Sequence, residues 1–222
     1  MATAFRLGCR EMYVRAKRLI DIVFSTIGII LLSPVFLIIV MAIKLDSRGP
    51  VLFRQKRVGI HKSYFYILKF RTMKIDTPTD TPTHLLENPE QYITRVGKFL
   101  RRTSLDELPQ IINILRGEMS IIGPRPALWN QYDLLEERDK YGANDVLPGL
   151  TGWAQVNGRD ELPIDEKARL DGEYVCNLSL AMDIRCFFAT IVSVLASKGV
   201  VEGGTNVTAK SDPLINEEIV TR

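Results

Sequence analysis

Residues Ile22 to Ile43, IVFSTIGIILLSPVFLIIVMAI, run for 22 positions without a charge and are punctuated near the middle by Ser33-Pro34. As a straight helix the run would reach roughly 33 Å, enough to cross a hydrocarbon core of about 30 Å. A secretory signal is a poor fit, since its apolar core is shorter and is followed by a small-residue cleavage site. Pro34 removes a backbone donor and crowds the preceding turn, which predicts a kink or break, and the Ser33 hydroxyl can bond the carbonyl so freed. Arg6, Arg10, Arg15, Lys17 and Arg18 precede the run, and Lys44, Arg48, Arg54, Lys56 and Arg57 follow it. Basic residues on both flanks favour keeping both ends in the cytoplasm. A helix-break-helix that dips into one leaflet satisfies the charges and the proline, whereas a kinked spanning helix satisfies the proline alone. The residues by themselves leave the two open.

Outward from this segment the composition is that of an ordinary folded chain: 222 residues, 46% apolar, 25% charged and a formal charge of +3. The charge is unevenly spread. Val51 to Ile75 carries Arg54, Lys56, Arg57, Lys62, Lys69, Arg71 and Lys74 with no acidic residue, a face suited to phospholipid headgroups or a nucleotide diphosphate. Nucleic acid is the weakest partner, because the neighbouring aromatics form no RNA-binding signature. Cys9, Cys176 and Cys186 make an odd count with no short spacing, which points to a reducing compartment rather than a disulfide framework. With only His61 and His84, any metal must rely on oxygen ligands, which suggests Mg²⁺ rather than Zn²⁺.

Val51–Val58 and Tyr64–Met73 read as two short strands around a polar turn, Gly59–Ser63, and Ile75–Pro89 reads as a loop. Leu108, Ile111, Ile112 and Leu115 recur at helical period until Gly117. A charged helix is expected near Gln131–Tyr141, followed by an irregular stretch from Pro148 to Arg159. Leu180, Ile184, Phe187, Phe188, Ile191 and Leu195 share one helical face, facing either a core or a membrane surface. The fold class is α/β, mostly helical with a small sheet, attached to a membrane through the apolar segment and amphipathic surface helices. Its divisions are a basic segment 1–18, a membrane helix 19–43, a catalytic region 44–199 and a polar tail 200–222.

The chemistry concentrates at Ser104-Leu105-Asp106-Glu107, directly after Lys98, Arg101 and Arg102. Ser104 and Glu107 have capping-box spacing, a purely structural account of Glu107. Asp106 is left over. In the first turn of a helix, beside Arg101 and Arg102, it is expected to be anionic and able to attack phosphorus, with Lys69, Arg71, Arg101, Arg125 and Mg²⁺ screening its approach. A one-step transfer in which Asp106 only holds Mg²⁺, and a noncatalytic membrane scaffold, are the competing readings.

At these residues the chain resembles the bacterial sugar transferase family, small monotopic phosphoglycosyl transferases that start glycan assembly on polyprenol phosphate. The likeness runs from Lys17 to about Gly199. It rests on the Ser33-Pro34 break, Lys69-Phe70-Arg71-Thr72-Met73, Arg101 with Ser104 to Leu108, Gly123-Pro124-Arg125-Pro126, Pro148 to Trp153 with Asn157-Gly158-Arg159, and Leu170-Asp171 before Tyr174. The resemblance implies a re-entrant helix with both ends cytosolic, at the bacterial inner membrane. It implies that Asp106 is the nucleophile, Glu107 its partner, and that both hold Mg²⁺. Arg101, Arg125 and Asp171 are expected to line the site, with Lys69, Arg71, Asn157 and Arg159 also contacting substrate. The substrates implied are a UDP-sugar and undecaprenyl phosphate, with UMP released through a covalent aspartyl phosphosugar. The chain corresponds to the family's catalytic unit, and these motifs name neither the sugar nor the oligomeric state.

Overall fold

A computed structural model of the chain describes residues 2–77, 89–158 and 162–195. The apolar run lies inside one continuous helix, α1 (Ala2–Asp46), which passes through residues 18 and 19 without interruption. The break expected at Ser33-Pro34 is absent. Ser33 Oγ donates to the Ile30 carbonyl (2.8 Å), the acceptor that the missing Pro34 N–H would have used, so the turn keeps a hydrogen bond and the helix continues.

One face of α1 is buried against the rest of the chain at Asp21, Ser25, Ile39 and Ile43, while Leu19, Phe24, Ile30, Leu31, Leu37 and Ile38 are exposed on the other. Polar contacts fasten both ends of the apolar run. Before it, Arg18 donates to the carbonyls of Ile114 (2.5 Å) and Leu115 (2.9 Å), and Asp21 accepts from the Ile121 N–H (3.0 Å). After it, Asp46 accepts from the Val96 N–H (3.0 Å).

The expected hairpin forms from β1 (Leu52–Val58) and β2 (Tyr64–Phe70), antiparallel in the register Leu52↔Phe70 to Val58↔Tyr64. The chain from Pro126 to Leu128 lies along the free edge of β1, with the Val58 N–H on the Ala127 carbonyl (3.0 Å) and a bridge between Arg57 and Leu128. Helix α2 (Arg95–Arg102) is capped by Thr94, whose hydroxyl accepts from Gly97 N (2.9 Å). Helix α3 (Gln110–Arg116) ends at Gly117, whose φ of 83° suits glycine. Asn113, fully buried on α3, accepts from the Leu68 N–H (3.0 Å) and donates to the Tyr66 carbonyl (2.8 Å), fixing α3 against the edge of β2.

The stretch read as irregular supplies one strand of a second small sheet. Strand β3 (Ser120–Ile122) pairs in parallel with β4 (Gly149–Thr151), and between them lies α4 (Tyr132–Asp139). After β4 come α5 (Trp153–Val156), α6 (Ile164–Cys176) and α7 (Leu180–Leu195). Three glycines bring the backbone of this region into direct contact. A Cβ on Gly149 would lie 2.1 Å from Gly123 N, one on Gly152 2.0 Å from Gly123 O, and one on Gly123 2.5 Å from Leu147 O.

The core is divided. Ile39 and Ile43 of α1 pack with Phe70 and Leu100, while Trp153, Leu170, Tyr174, Val175, Met182 and Cys186 form a cluster around α6 and α7. Helix α7 turns Met182, Asp183 and Cys186 inward and leaves Leu180, Ile184, Phe187, Phe188 and Ile191 exposed. The apolar stripe therefore faces away from the core, and the core-facing alternative is set aside for these five residues; the Leu195 side chain lies outside the described residues.

Candidate active site

The acidic pair sits between α2 and α3, where the chain makes two departures from helical geometry. Ser104 adopts a left-handed conformation (φ 56°), and a 3-10 turn over Leu105–Glu107 precedes Pro109, which occupies the N-cap position of α3. The capping box does not form: Ser104 makes no side-chain cap bond. The proline-started helix begins three residues beyond Glu107, so Glu107 is released for another use. Its Oε1 accepts from Lys69 Nζ (2.7 Å), on β2, and from Arg125 Nη2 (3.0 Å), in the loop after β3.

The two carboxylates consequently differ. Burial opposes ionisation of Glu107, but Arg125 and Lys69 more than offset it and hold its carboxyl well below the usual range. Asp106 accepts no hydrogen bond among the described residues, although Lys69, Arg101 and Arg125 all act on it electrostatically. Its carboxyl is pushed above the ordinary value, by burial first; Lys69 opposes this, the negative Glu107 reinforces it, and Arg101 and Arg125 oppose it. This corrects the expectation that its setting lowers its pKa: Asp106 lies in a 3-10 turn ahead of α3, and Lys69 and Arg125 are hydrogen-bonded to its neighbour. Glu107 is thus a fixed anion, and Asp106 is the more basic group, oriented by no hydrogen bond among the described residues and surrounded by cations.

Among the described residues no cluster of three or more His, Cys, Asp or Glu side chains gathers to hold a metal. The available set is Asp106 and the second oxygen of Glu107. Two carboxylates are an oxygen donor set of the kind that suits Mg²⁺, which keeps much of its hydration and shares substrate phosphates.

Of the other residues singled out in the sequence, Lys69 and Arg125 converge on Glu107. Arg101 is close by, its Nε donating to Thr72 Oγ1 (2.9 Å). Arg71 is directed elsewhere: it is buried, and its guanidinium donates to the carbonyl of Arg48 and to the carbonyl and hydroxyl of Ser47 (both 2.9 Å), closing the end of α1 onto the hairpin. Asn157 donates to the Trp153 carbonyl (2.8 Å), capping α5. Arg159 lies outside the described residues.

Asp171 is buried on α6, and its Oδ2 accepts from Arg138 Nε (2.8 Å) and Nη2 (2.6 Å). Burial raises its carboxyl pKa against the opposing pull of Arg138. Among the described residues it is linked toward the acidic pair through Arg138, whose Nη2 also donates to the Arg125 carbonyl (3.0 Å). Sequence reasoning missed Arg138 and Thr72. For Arg138 the one available signal was spacing, since Leu134, Leu135 and Arg138 share the buried face of α4.

A family model described as bacterial sugar transferase matches residues 12–197. The chain is 42% identical over 192 residues to the undecaprenyl-phosphate glucose phosphotransferase of Komagataeibacter xylinus, and 43% identical over 190 residues to the UDP-glucose:undecaprenyl-phosphate glucose-1-phosphate transferase of Escherichia coli. Each match covers 82% of this chain but only 36% and 40% of those proteins. The exopolysaccharide production protein ExoY of Rhizobium meliloti is 35% identical over 198 residues, covering 83% of this chain and 87% of its own length.

Proposed function

The chain belongs to the bacterial sugar transferase family, and on that premise we propose that it moves a sugar 1-phosphate from a UDP-sugar to undecaprenyl phosphate through a covalent intermediate on Asp106. The observation that carries this reading is the unequal acidic pair: Glu107 is held by Lys69 and Arg125, while Asp106 accepts no hydrogen bond among the described residues and is flanked by the same cations.

In the first half-reaction a carboxylate oxygen of Asp106 attacks the phosphorus bonded to the sugar. The bond from that phosphorus to the bridging oxygen breaks, and UMP leaves with the electron pair. Lys69, Arg125 and Arg101 offset the negative charge that an anionic nucleophile meets on approaching a phosphate. Glu107 holds Lys69 and Arg125 in place. In the second half-reaction an oxygen of the lipid phosphate attacks the same phosphorus, the acyl phosphate bond breaks, and Asp106 is regenerated as a carboxylate. Asp106 and the second oxygen of Glu107 would hold Mg²⁺, which supplies charge neutralisation on the diphosphate when bound. UDP-glucose is the first donor to test, because the Escherichia coli relative is named for it and the Komagataeibacter xylinus relative for glucose.

The membrane placement belongs to the same proposal. A helix crossing the bilayer would carry its ends to opposite faces, yet the Asp21 and Asp46 ends of the apolar run both hydrogen-bond backbone of the catalytic region. This supports both ends lying on the cytosolic side, with the exposed faces of α1 and α7 immersed in one leaflet. Enzyme given Mg²⁺ and labelled UDP-glucose without lipid acceptor should release UMP stoichiometrically and retain label on the peptide containing Asp106. Release of UDP, or protein without label together with intersecting two-substrate kinetics, would remove Asp106 from the nucleophilic role.

A further inference from the structure

Arg125 reaches Glu107 from a loop of two prolines, Gly123-Pro124-Arg125-Pro126, and the main chain of that loop is gripped from two sides. From α4, Arg138 Nη2 donates to the carbonyl of Arg125 (3.0 Å). From β1, Arg57 Nη1 donates to the carbonyl of Pro126 (3.0 Å). Each guanidinium is itself oriented by an acceptor, Arg138 by Asp171 Oδ2 through Nε and Nη2, and Arg57 by Gln55 Oε1 through Nη2 (2.6 Å). Two successive peptide planes are therefore pinned, and with them the direction in which the Arg125 side chain leaves the backbone.

Stability alone is a weak reason for such an arrangement. The side chains of Arg138 and Asp171 are only 5% and 1% exposed, and taking two charges out of water costs several kcal/mol per ion, so a well-packed apolar pair often does as well or better. An apolar pair would not offer a donor to the Arg125 carbonyl. A guanidinium presents donors in a fixed plane and serves a carboxylate and a carbonyl together, which an ammonium on a flexible stem does not. Resting on the transferase reading above, we propose that Arg138, set by Asp171, and Arg57, set by Gln55, are positioning residues that aim Arg125 at Glu107 and at the diphosphate beside it.

The test is a double-mutant cycle on kcat/KM for the UDP-sugar. Misplacing a reacting group by about 1 Å can cost on the order of a hundredfold, so Arg138→Lys and Arg57→Gln should each lower kcat/KM by about ten- to a hundredfold. In an Arg125→Ala background the same substitutions should cost less than about twofold, because the group they aim is gone. Equal losses in both backgrounds would overturn the positioning role and leave Arg138 and Arg57 as parts of the scaffold. Should Arg138→Lys fail to fold, the Arg57 cycle decides by itself, since Arg57 lies at a sheet edge and is only half-buried. If Arg125→Ala is too slow to assay, the cycle is read on the dissociation constant for UDP, with the same two outcomes. UMP release by the unmodified enzyme is measured first: its absence with every UDP-sugar overturns the transferase reading, whereas its presence with additive losses overturns only the positioning role.

Discussion

Asp183 offers the most demanding test of how α1 is fastened. Near the start of α7 and almost fully buried, it accepts from Tyr13 (2.6 Å) and Lys17 at Oδ2 and from Tyr174 (2.7 Å) at Oδ1. Burial first, and then Asp183 itself, push both phenols up, so each stays a protonated donor. The Lys17 and Asp183 side chains are each 12% exposed. Asp183→Ala leaves that lysine uncompensated, and breaking a buried pair from one side typically costs about 3–5 kcal/mol. At about 2–4 °C per kcal/mol for a chain of this size, the midpoint of thermal unfolding should fall by about 10 °C. Asp183→Asn keeps an acceptor for the phenols and should lose about half as much. Removing both charges as Lys17→Met with Asp183→Leu leaves no orphaned ion and should cost less than Asp183→Ala alone. Melting curves of the purified protein in nanodiscs measure all four forms. A shift for Asp183→Ala within about 2 °C, or a double variant worse than the single one, would refute the assignment of Asp183 as the anchor of α1.

Four further outcomes follow from the structure. Asp106→Asn should abolish turnover with the melting curve unchanged; Glu107→Gln should lower kcat/KM by about a hundredfold by loosening Lys69 and Arg125, and full activity would remove Glu107 from the site. Cysteines introduced at Arg6 and at Lys62 should be equally protected from an impermeant thiol reagent in intact cells, and labelling at the amino-terminal position alone would show that α1 spans. Asn113→Leu should destabilise the fold by about 2–4 kcal/mol in chemical denaturation, because it leaves the buried Leu68 N–H and Tyr66 carbonyl without partners; a loss below about 0.5 kcal/mol would show that α3 is held to β2 by packing alone.

The elements legible in the sequence were those marked by a turn, a helix stop or a repeating face. The hairpin followed from two short strand-like stretches around the polar turn Gly59–Ser63, the end of α3 from Gly117, and the faces of α7 from its apolar period. Parallel β3 and β4 escaped notice because three residues are too few to show a period, and their partners are 29 positions apart, Ser120 with Gly149. The continuity of α1 was missed because Pro34 signals a break, whereas the Ser33 hydroxyl supplies the compensating bond. At the site, residue type predicted charge but not direction. Lys69 and Arg71, two apart, both read as phosphate ligands, yet β2 ends between them at Phe70; only Lys69 turns to Glu107, and Arg71 closes onto Ser47 and Arg48. Asp171 was expected to line the site, yet its partner is Arg138, which in turn bonds the Arg125 carbonyl, and no local pattern announces an ion pair between residues 33 apart.

The contact among Gly123, Gly149 and Gly152 bears on how this protein can diverge. Where side chains meet, a change on one side can be answered by a smaller or larger residue on the other, and a lineage drifts through such pairs. Here main chain meets main chain, with 2.0–2.5 Å left for any added carbon, and a peptide unit has no smaller form to retreat to. The three positions are therefore locked to one another, and no neighbour can mutate to admit a replacement. A saturation library should return glycine alone at each. Variation would then have to come from side chains around this junction, while the loop that carries Arg125 keeps its course.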